Sequence, residues 1–309
     1  MMKSLRDRFD AVFLAIGAHL GKSLSMPGAD ARGVYSAVDL LRDIGDGRHP
    51  DFAGRKVAVI GGGNVAMDCV RTAVRAGAEE VNLIYRRRRE DMTALTEEIE
   101  AAVAEGVEML TLRSPIAVEK SESGQCRALL LQPQRISAYV RDRAAAVPAD
   151  RPRERLPADV VLIAVGQEID AAPFEAAGLP VRCGAIVTDD ALAVPGHPGI
   201  FAGGDCQSGP ATVIKAIAAG KAAARNIDEY LGFHHALENA FTMTPPLRVD
   251  RTPTGRVALA ERPVKLRKRD FACTEIGMTE EEAVQEARRC LRCDHFGCGS
   301  MINGRMHHA

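Results

Sequence analysis

Apolar residues in this chain fall into short continuous runs that alternate with segments of helical spacing. Ala11–Gly17 (AVFLAIG) is a continuous apolar run closed by glycine, which suits a fully buried strand. Residues 18–31 are punctuated by glycine and proline and read as loop. Val34–Ile44 predicts a helix and Lys56–Ile60 a second buried strand. Asn64–Ala76 carries apolar residues at helical spacing and stops at Gly77, a residue suited to the turn past a helix end. Val81–Tyr85 predicts a strand, Thr93–Glu105, rich in Ala and Glu, a helix, and Val107–Leu112 another strand. Strands and helices alternating at this spacing imply a parallel sheet covered by helices, hence an α/β class.

From about Ile116 to Pro157 the pattern changes. Short strand-like runs, Ala128–Leu131 and Ile136–Val140, sit among charged and proline-bearing loops and predict hairpins. Val160–Gly166 (VVLIAVG) repeats the form of Ala11–Gly17, which suggests two equivalent junctions where the chain leaves and re-enters one domain. Ile200–Asp205 predicts a short strand ending in Gly-Gly-Asp, and Ala211–Leu231 a long helix. Thr242–Lys268, rich in proline and arginine, reads as a linker. Thr279 and Glu282 have capping-box spacing at the start of a final helix that runs into Cys290.

Composition narrows the function classes. The 309 residues suffice for two ordinary domains, with 46% hydrophobic and 26% charged residues. A formal net charge of −1 gives no global pull toward nucleic acid or anionic membrane. No apolar run approaches the roughly 18–20 residues that span a bilayer. The start shows no signal-peptide pattern, so a cytoplasmic location is expected.

Lys56–Met67 (KVAVIGGGNVAM) runs a buried strand directly into Gly61-x-Gly63-x-x-Ala66, with a helix after it and a second strand at the right distance. Gly61 permits the tight turn, Gly63 lets the backbone approach a pyrophosphate, and Ala66 lets helix and strand pack closely. The N–H groups of the helix start at Asn64 and Val65 then face the anion. An unrelated αβ turn could carry the same glycines, but the strand–loop–helix context favours a dinucleotide. The second strand ends Tyr85-Arg86-Arg87-Arg88-Arg89 with no carboxylate before Glu90. Acidic residues there suit a ribose 2′-OH, whereas guanidinium groups suit a 2′-phosphate, so NADP(H) is expected over NAD(H). Arg86 or Arg87 carries that role ahead of Arg88 and Arg89; the plain alternative is a solvated basic loop.

Gly199–Asp205 (GIFAGGD) places Gly204 and Asp205 beside the helix start at Ala211-Thr212-Val213. The carboxylate can accept from sugar-like hydroxyls, and the helix N-terminus favours an electron-rich carbonyl such as that of a reduced flavin. An ordinary loop and capped helix would look the same.

The order AVFLAIGAH, VAVIGGGNVAMDCVRTAVRAGA, IYRRR, ADVVLIAVGQ, GIFAGGD and ATVIKAIAAGKAAA resembles the small (beta) subunit of glutamate synthase and its relatives across most of residues 8–232. The resemblance implies a two-dinucleotide-binding-domain flavoprotein: a Rossmann-like NAD(P)-binding domain inserted in a partial FAD-binding domain. Residues 1–31 would be a remnant of the FAD domain, 32–159 the NADP domain, 160–241 the rest of the FAD domain, and 242–309 linker, helix and Cys-rich tail. Gly17 and Gly166 would sit at the crossings. Gly61, Gly63, Asn64 and Ala66 would hold the NADPH pyrophosphate and Arg86 and Arg87 its 2′-phosphate. Asp205 would contact the FAD ribitol, with Ala211–Val213 near the flavin ring. The family's N-terminal cysteine-rich domain and first FAD loop do not occur in this sequence. An FAD site incomplete in this chain is therefore expected, completed by a missing N-terminal half or by a larger oxidoreductase subunit. An uncovered sheet edge and apolar surface would accompany it.

Eight cysteines are present, and three bunch as Cys290-x2-Cys293-x4-Cys298. Thiolates at this density suit soft metals or iron–sulfur iron. The tail resembles iron–sulfur segments of the same relatives, which implies a [4Fe–4S] cluster with Cys273 or a partner chain supplying a fourth ligand. Zinc with His295, His307 or His308, or no metal at all, remain open. Cys69 and Cys206 read as packed rather than reactive.

Three functions follow. NADPH delivers a hydride to FAD, which passes electrons to iron–sulfur clusters or an acceptor protein; the cofactors do the chemistry, and no side-chain acid, base or nucleophile is expected. Alternatively the chain is a non-catalytic NADP-binding module that has lost FAD, which a colourless purified protein would indicate. A thioredoxin-reductase-like enzyme needs a C-x-x-C beside the flavin, and the C-x-x-C here lies in the far tail.

Overall fold

The computed structural model describes residues 2–140, 143–235, 255–289, 301–302 and 305–306. The chain divides into two units, 1–235 and 236–309. Cys290, Cys293 and Cys298 lie outside the described residues.

The first unit opens with α1 (Met2–Arg6), β1 (Val12–Leu14) and β2 (Leu20–Gly21), then β3 (Val34–Ser36), α2 (Ala37–Gly45), β4 (Lys56–Ile60), α3 (Asn64–Arg75), β5 (Glu80–Tyr85), α4 (Thr96–Ala104) and β6 (Glu108–Thr111). There follow β7 (Arg113–Lys120), β8 (Cys126–Val140), β9 (Arg143–Pro148), β10 (Glu154–Pro157), β11 (Val160–Ile163) and β12 (Gln167–Glu168). The unit ends with α5 (Ala172–Ala176), β13 (Val181–Arg182), β14 (Ala185–Ile186), β15 (Ile200–Ala202), α6 (Asp205–Ser208) and α7 (Val213–Tyr230).

Strands β3, β11, β4, β5 and β6 form, in that order, a five-stranded parallel sheet. Its continuous apolar runs follow from burial on both faces. Val57, Val59, Val81, Leu83 and Leu162 pack toward Ala66, Met67, Val70 and Ala73 of α3 and Ile99 and Ala102 of α4. The alternate residues Ala58, Ile60, Ile84, Val161 and Ile163 pack with Val118, Leu129 and Leu131 of an antiparallel sheet. That sheet has the order β10-β8-β7, with β9 also paired to β8. The period of two in a strand sends alternate residues to opposite cores.

Three sequence expectations change here. Val34–Ser36 is a strand rather than the first turn of a helix, paired in parallel with Val161–Ile163. Ser36 ends it as the N-cap of α2, its hydroxyl accepting from the Asp39 N–H at 3.3 Å. The runs 128–131 and 136–140 belong to one strand, β8, which pairs with β7 and β10 over its first half and with β9 over its second. Val160–Ile163, grouped in the sequence with 160–241, lies in the parallel sheet between β3 and β4, and Gly166, expected at a crossing, follows it. There Gln167–Glu168 pairs antiparallel with Gly21–Leu20, and the Lys22 N–H donates to the Gly166 carbonyl at 3.0 Å. Within the segment 242–268, read as linker, Val264–Arg267 is a short helix (α8).

β1 and β15 pair in parallel as a two-stranded sheet over a third core containing Phe174, Leu179, Ile186 and Cys206. Helix α7 runs for 18 residues, yet Ala223 is its one buried residue, and Val213, Ile214 and Ile217 are 75%, 79% and 55% exposed. In the second unit, β16 (Ala260–Glu261) pairs with β17 (Glu275–Ile276), and α9 (Glu280–Arg288) follows. The expected capping box is present: the Glu282 N–H donates to Thr279 Oγ1 at 3.2 Å and the Thr279 N–H to Glu282 Oε2 at 2.8 Å.

Candidate functional site

The site is built where β4 turns into α3. Gly61 leaves the strand with its N–H bonded to the Ile84 carbonyl at 3.0 Å. A Cβ on Gly61 would lie 2.4 Å from the Ala164 carbonyl oxygen, because the end of β11 passes directly beside it. A Cβ on Gly62 would lie 2.4 Å from Cε2 of the Tyr85 ring. Gly63 differs: a Cβ there would meet only Thr93 Oγ1, at 3.4 Å. Three consecutive glycines thus answer to three conditions: a strand, a ring and open space.

Gly63 is the N-cap of α3 and has no side chain to satisfy the helix start. The N–H groups of Ala66 and Met67 turn back to the Gly63 carbonyl. Those of Gly62, Gly63, Asn64 and Val65 have no acceptor among the described residues. Four free amides at the positive end of a helix form a cradle for an anion. Asn64 contributes through its backbone, since its Oδ1 accepts the Leu95 N–H at 2.9 Å. The Gly62 carbonyl accepts the N–H groups of Thr93 and Ala94 at 3.0 and 3.1 Å. These bonds tie the segment 93–95 to the glycine loop.

A cleft of about 710 Å³ opens over this loop, lined among others by Gly61–Val65, Tyr85, Arg86, Arg87, Lys22, Gly166 and Pro210. Among the described residues no carboxylate lines it, and three cations do. Arg86 is exposed and has no ion pair or hydrogen-bond partner for its side chain among the described residues. Arg87 is half-buried, and its Nε is buried without a partner. A guanidinium N–H held out of water and unsatisfied is costly unless a ligand accepts from it. Arg88 differs, being engaged within the protein with Asp91, Glu90 and Tyr139.

The cleft therefore gathers Gly61, Gly63, Asn64, Val65, Arg86, Arg87 and Gly166 from among the sequence candidates. Ala66 lies behind it, fully buried, where helix and strand touch. Gly204, Asp205, Ala211, Thr212 and Val213 do not line it. They sit at the β15–α6–α7 junction, where Gly204 has φ +72° and Asp205 Oδ1 accepts the Ala211 N–H at 3.2 Å. Pro210, just before Ala211, reaches the cleft, so it extends from the glycine loop to the approach to α7. Sequence reasoning missed Lys22, Gly62, Tyr85 and Thr93; the middle glycine of the triplet was the one available signal. Cys69 and Cys206 are fully buried, and burial pushes both thiols up, Cys69 to about 12. Among the described residues no group of His, Cys, Asp and Glu is placed to hold a metal, and no helix is long and apolar enough to cross a membrane.

A five-stranded parallel sheet with an open glycine loop, joined by two crossing segments to a second αβ part, defines an α/β protein of the two-dinucleotide-binding-domain type. The chain matches the family model "Pyridine nucleotide-disulphide oxidoreductase" over residues 3–220 and belongs to that family. It is 37% identical to the beta subunit of an NADP(+)-dependent formate dehydrogenase of Moorella thermoacetica, over 96% of this chain and 44% of that protein. It is 33% identical to the beta subunit of an NADPH-Fe(3+) oxidoreductase of Geobacter sulfurreducens, over 94% of this chain and 49% of that protein. The resemblance to glutamate synthase small subunits holds, with 32% identity to that of Escherichia coli over 74% of this chain and 52% of the other. The chain thus spans about half the length of these curated relatives. Its fold matches FprA of Mycobacterium tuberculosis, solved in complex with NADPH, with a TM-score of 0.60 at 22% identity, over 75% of this chain and 65% of that one.

Proposed function

We propose that this chain is the nicotinamide-binding, electron-accepting part of an NADPH-dependent flavin oxidoreductase. The observation that carries the reading is the anion cradle of Gly62–Val65 beside Arg86 and Arg87, which among the described residues have no partner for their side chains and share a cleft lined by no carboxylate. The loop amides would hold the pyrophosphate, and Arg86 and Arg87 the 2′-phosphate through charge-assisted hydrogen bonds. Gly63 leaves room for the nucleotide backbone, and Gly166 and Pro210 bound the end of the cleft nearer α7. With both bound, the nicotinamide would supply a hydride, and the flavin would supply the means of passing electrons singly to clusters or an acceptor protein. The side chains bind, orient and exclude water.

For FAD the chain offers one edge: the Asp205 carboxylate, and the N–H groups of Val213 and Ile214 at the start of α7, which have no acceptor among the described residues. The exposed residues Val213, Ile214 and Ile217 favour a protein surface lying over this edge, either the part of the flavoprotein its relatives have beyond this chain or a larger subunit. Cys290, Cys293 and Cys298 are proposed as ligands of a [4Fe–4S] cluster on the strength of their spacing, and the location as cytoplasmic. Iron and acid-labile sulfide analysis tests the cluster.

The nucleotide reading is tested by titrating NADPH and NADH against the wild type and the Arg86→Ala and Arg87→Ala variants. Each lost guanidinium contact should weaken NADPH by about tenfold to a hundredfold, from roughly 1.5–3 kcal/mol per charge-assisted bond. NADH binding should change little; equal losses for both nucleotides would remove the 2′-phosphate assignment.

A further inference from the structure

Four consecutive arginines follow β5, and they do not share one environment. Arg86 and Arg87 line the cleft; Arg88 and Arg89 do not. The next carboxylates are Glu90 and Asp91, within reach of the same turn. An arginine reserved for a phosphate has a competitor at such a place, because a neighbouring carboxylate binds the same fork of N–H groups.

The competitor here is occupied. Arg88 Nε donates to Asp91 Oδ2 at 2.9 Å and Arg88 Nη2 to Asp91 Oδ1 at 3.1 Å, a two-pronged pairing that uses both carboxylate oxygens. The Arg88 backbone N–H adds a bond to Oδ2 at 3.2 Å. Arg88 Nη1 lies 3.2 Å from Glu90 Oε1, and Nη2 also donates to the Tyr139 hydroxyl of β8. The guanidinium sits 5.9 Å from the centre of the Tyr139 ring. Asp91 is held from the other side through its backbone, whose carbonyl accepts the Tyr85 hydroxyl at 2.7 Å. The Asp91 carboxyl is kept below its ordinary range first by these Arg88 bonds; Arg87 acts on it through space and is bonded to neither oxygen.

We propose that Arg88 is a positioning residue for nucleotide choice: by occupying both oxygens of Asp91, it keeps that carboxylate off Arg87 and leaves Arg87 free for the phosphate of NADPH. Arg88 makes no contact with the nucleotide itself. The proposal rests on the reading of Arg87 given above, and it adds that the acidic residue four positions on is silenced rather than absent.

Three variants of the full chain test it, Arg88→Met, Asp91→Asn and the double variant, each titrated with NADPH and with NADH and checked for an unchanged circular dichroism spectrum. Arg88→Met frees Asp91 to pair with Arg87 and should weaken NADPH about tenfold while NADH is unmoved. Asp91→Asn should bind NADPH within about twofold of wild type. In the double variant the carboxylate is gone, and NADPH affinity should return. A loss that persists in the double variant would make Arg88 a direct ligand or a purely structural residue and overturn the proposal. So would an Arg88→Met variant with unchanged NADPH affinity. If Arg88→Met fails to fold, Asp91→Asn still decides: a selective NADPH loss there would mean that Asp91 aids Arg87 rather than competes with it. Arg87→Ala separates the two levels, since selective NADPH loss in that variant with none in Arg88→Met refutes this inference alone. No selectivity in any arginine variant refutes the underlying nucleotide reading.

Discussion

Replacing Gly61 with alanine tests the geometry of the loop apart from any ligand. The new Cβ would sit 2.4 Å from the Ala164 carbonyl oxygen and 3.1 Å from its carbonyl carbon and Cβ. Ordinary carbon–oxygen contacts run to about 3.3 Å or more, so the chain must give by close to 1 Å. Both neighbours are backbone. The Ala164 N–H is bonded to the Ile60 carbonyl at 2.8 Å and the Gly61 N–H to that of Ile84 at 3.0 Å, so any shift strains two sheet bonds. Overpacking costs about 1–3 kcal/mol and each weakened bond about 1 kcal/mol, which together suggest a loss of about 2–4 kcal/mol. For a unit of this size that is a fall in melting temperature of roughly 5–15 °C. Gly63→Val is the control. A Cβ there meets only Thr93 Oγ1, at 3.4 Å, so the fold should melt close to wild type, while NADPH and NADH affinities both collapse because the branched side chain fills the cradle. Thermal melts by circular dichroism and nucleotide titrations read both variants. Gly61→Ala with unchanged melting and affinity would show that β11 does not pass this close, and Gly63→Val with retained affinity would place the pyrophosphate elsewhere.

Two further outcomes concern stability. Glu105 has a side chain with no solvent exposure, bonded to Arg75 at 2.7 Å and Arg71 at 3.0 Å, so Glu105→Ala should cost about 3–5 kcal/mol in denaturant unfolding by taking from Arg75 its carboxylate and leaving Arg71 with Glu98 alone. Burial pushes the Glu105 carboxyl up, but hydrogen bonds from Arg75 and Arg71 outweigh it and leave it below its ordinary value of 4.5. Its stabilisation is therefore complete above pH 4.5 and fades as pH falls through the lower folded value, and the gap between wild type and Glu105→Ala should narrow only in that acid range. A gap that stayed constant to lower pH would contradict the pairing. Thr279→Ala removes one side of the capping box and should weaken α9 by about 0.5–2 kcal/mol, seen as faster hydrogen exchange of its first-turn amides.

Much of the sheet was legible because its central strands β4, β5 and β11 are buried on both faces, and Lys56–Ile60 falls where the apolar run predicts it. An apolar run, however, says that a strand is buried and not which sheet buries it. Val160–Ile163 resembles Ala11–Gly17 in sequence, yet it inserts between β3 and β4, while Val12–Leu14 pairs with Ile200–Ala202. Val34–Ser36 was hidden because it runs without a break into α2; its β-branched and aromatic residues were the available sign. The glycine loop was readable because each element of the strand–loop–helix context is local. The division of labour among Arg86–Arg89 was not, since it depends on Asp91 and on Tyr139, which β8 brings in from 51 residues away.

Tyr85 closes one side of the glycine loop and lines the cleft. The chain contains no tryptophan and four tyrosines, so its ultraviolet emission, excited at wavelengths that phenylalanine does not absorb, comes from phenol rings. One of those four fluorophores stands at the mouth of the nucleotide cradle, with its hydroxyl anchored to a carbonyl. The arrival of a dinucleotide should register there as quenching, which gives the molecule a built-in optical reporter of occupancy that needs no label.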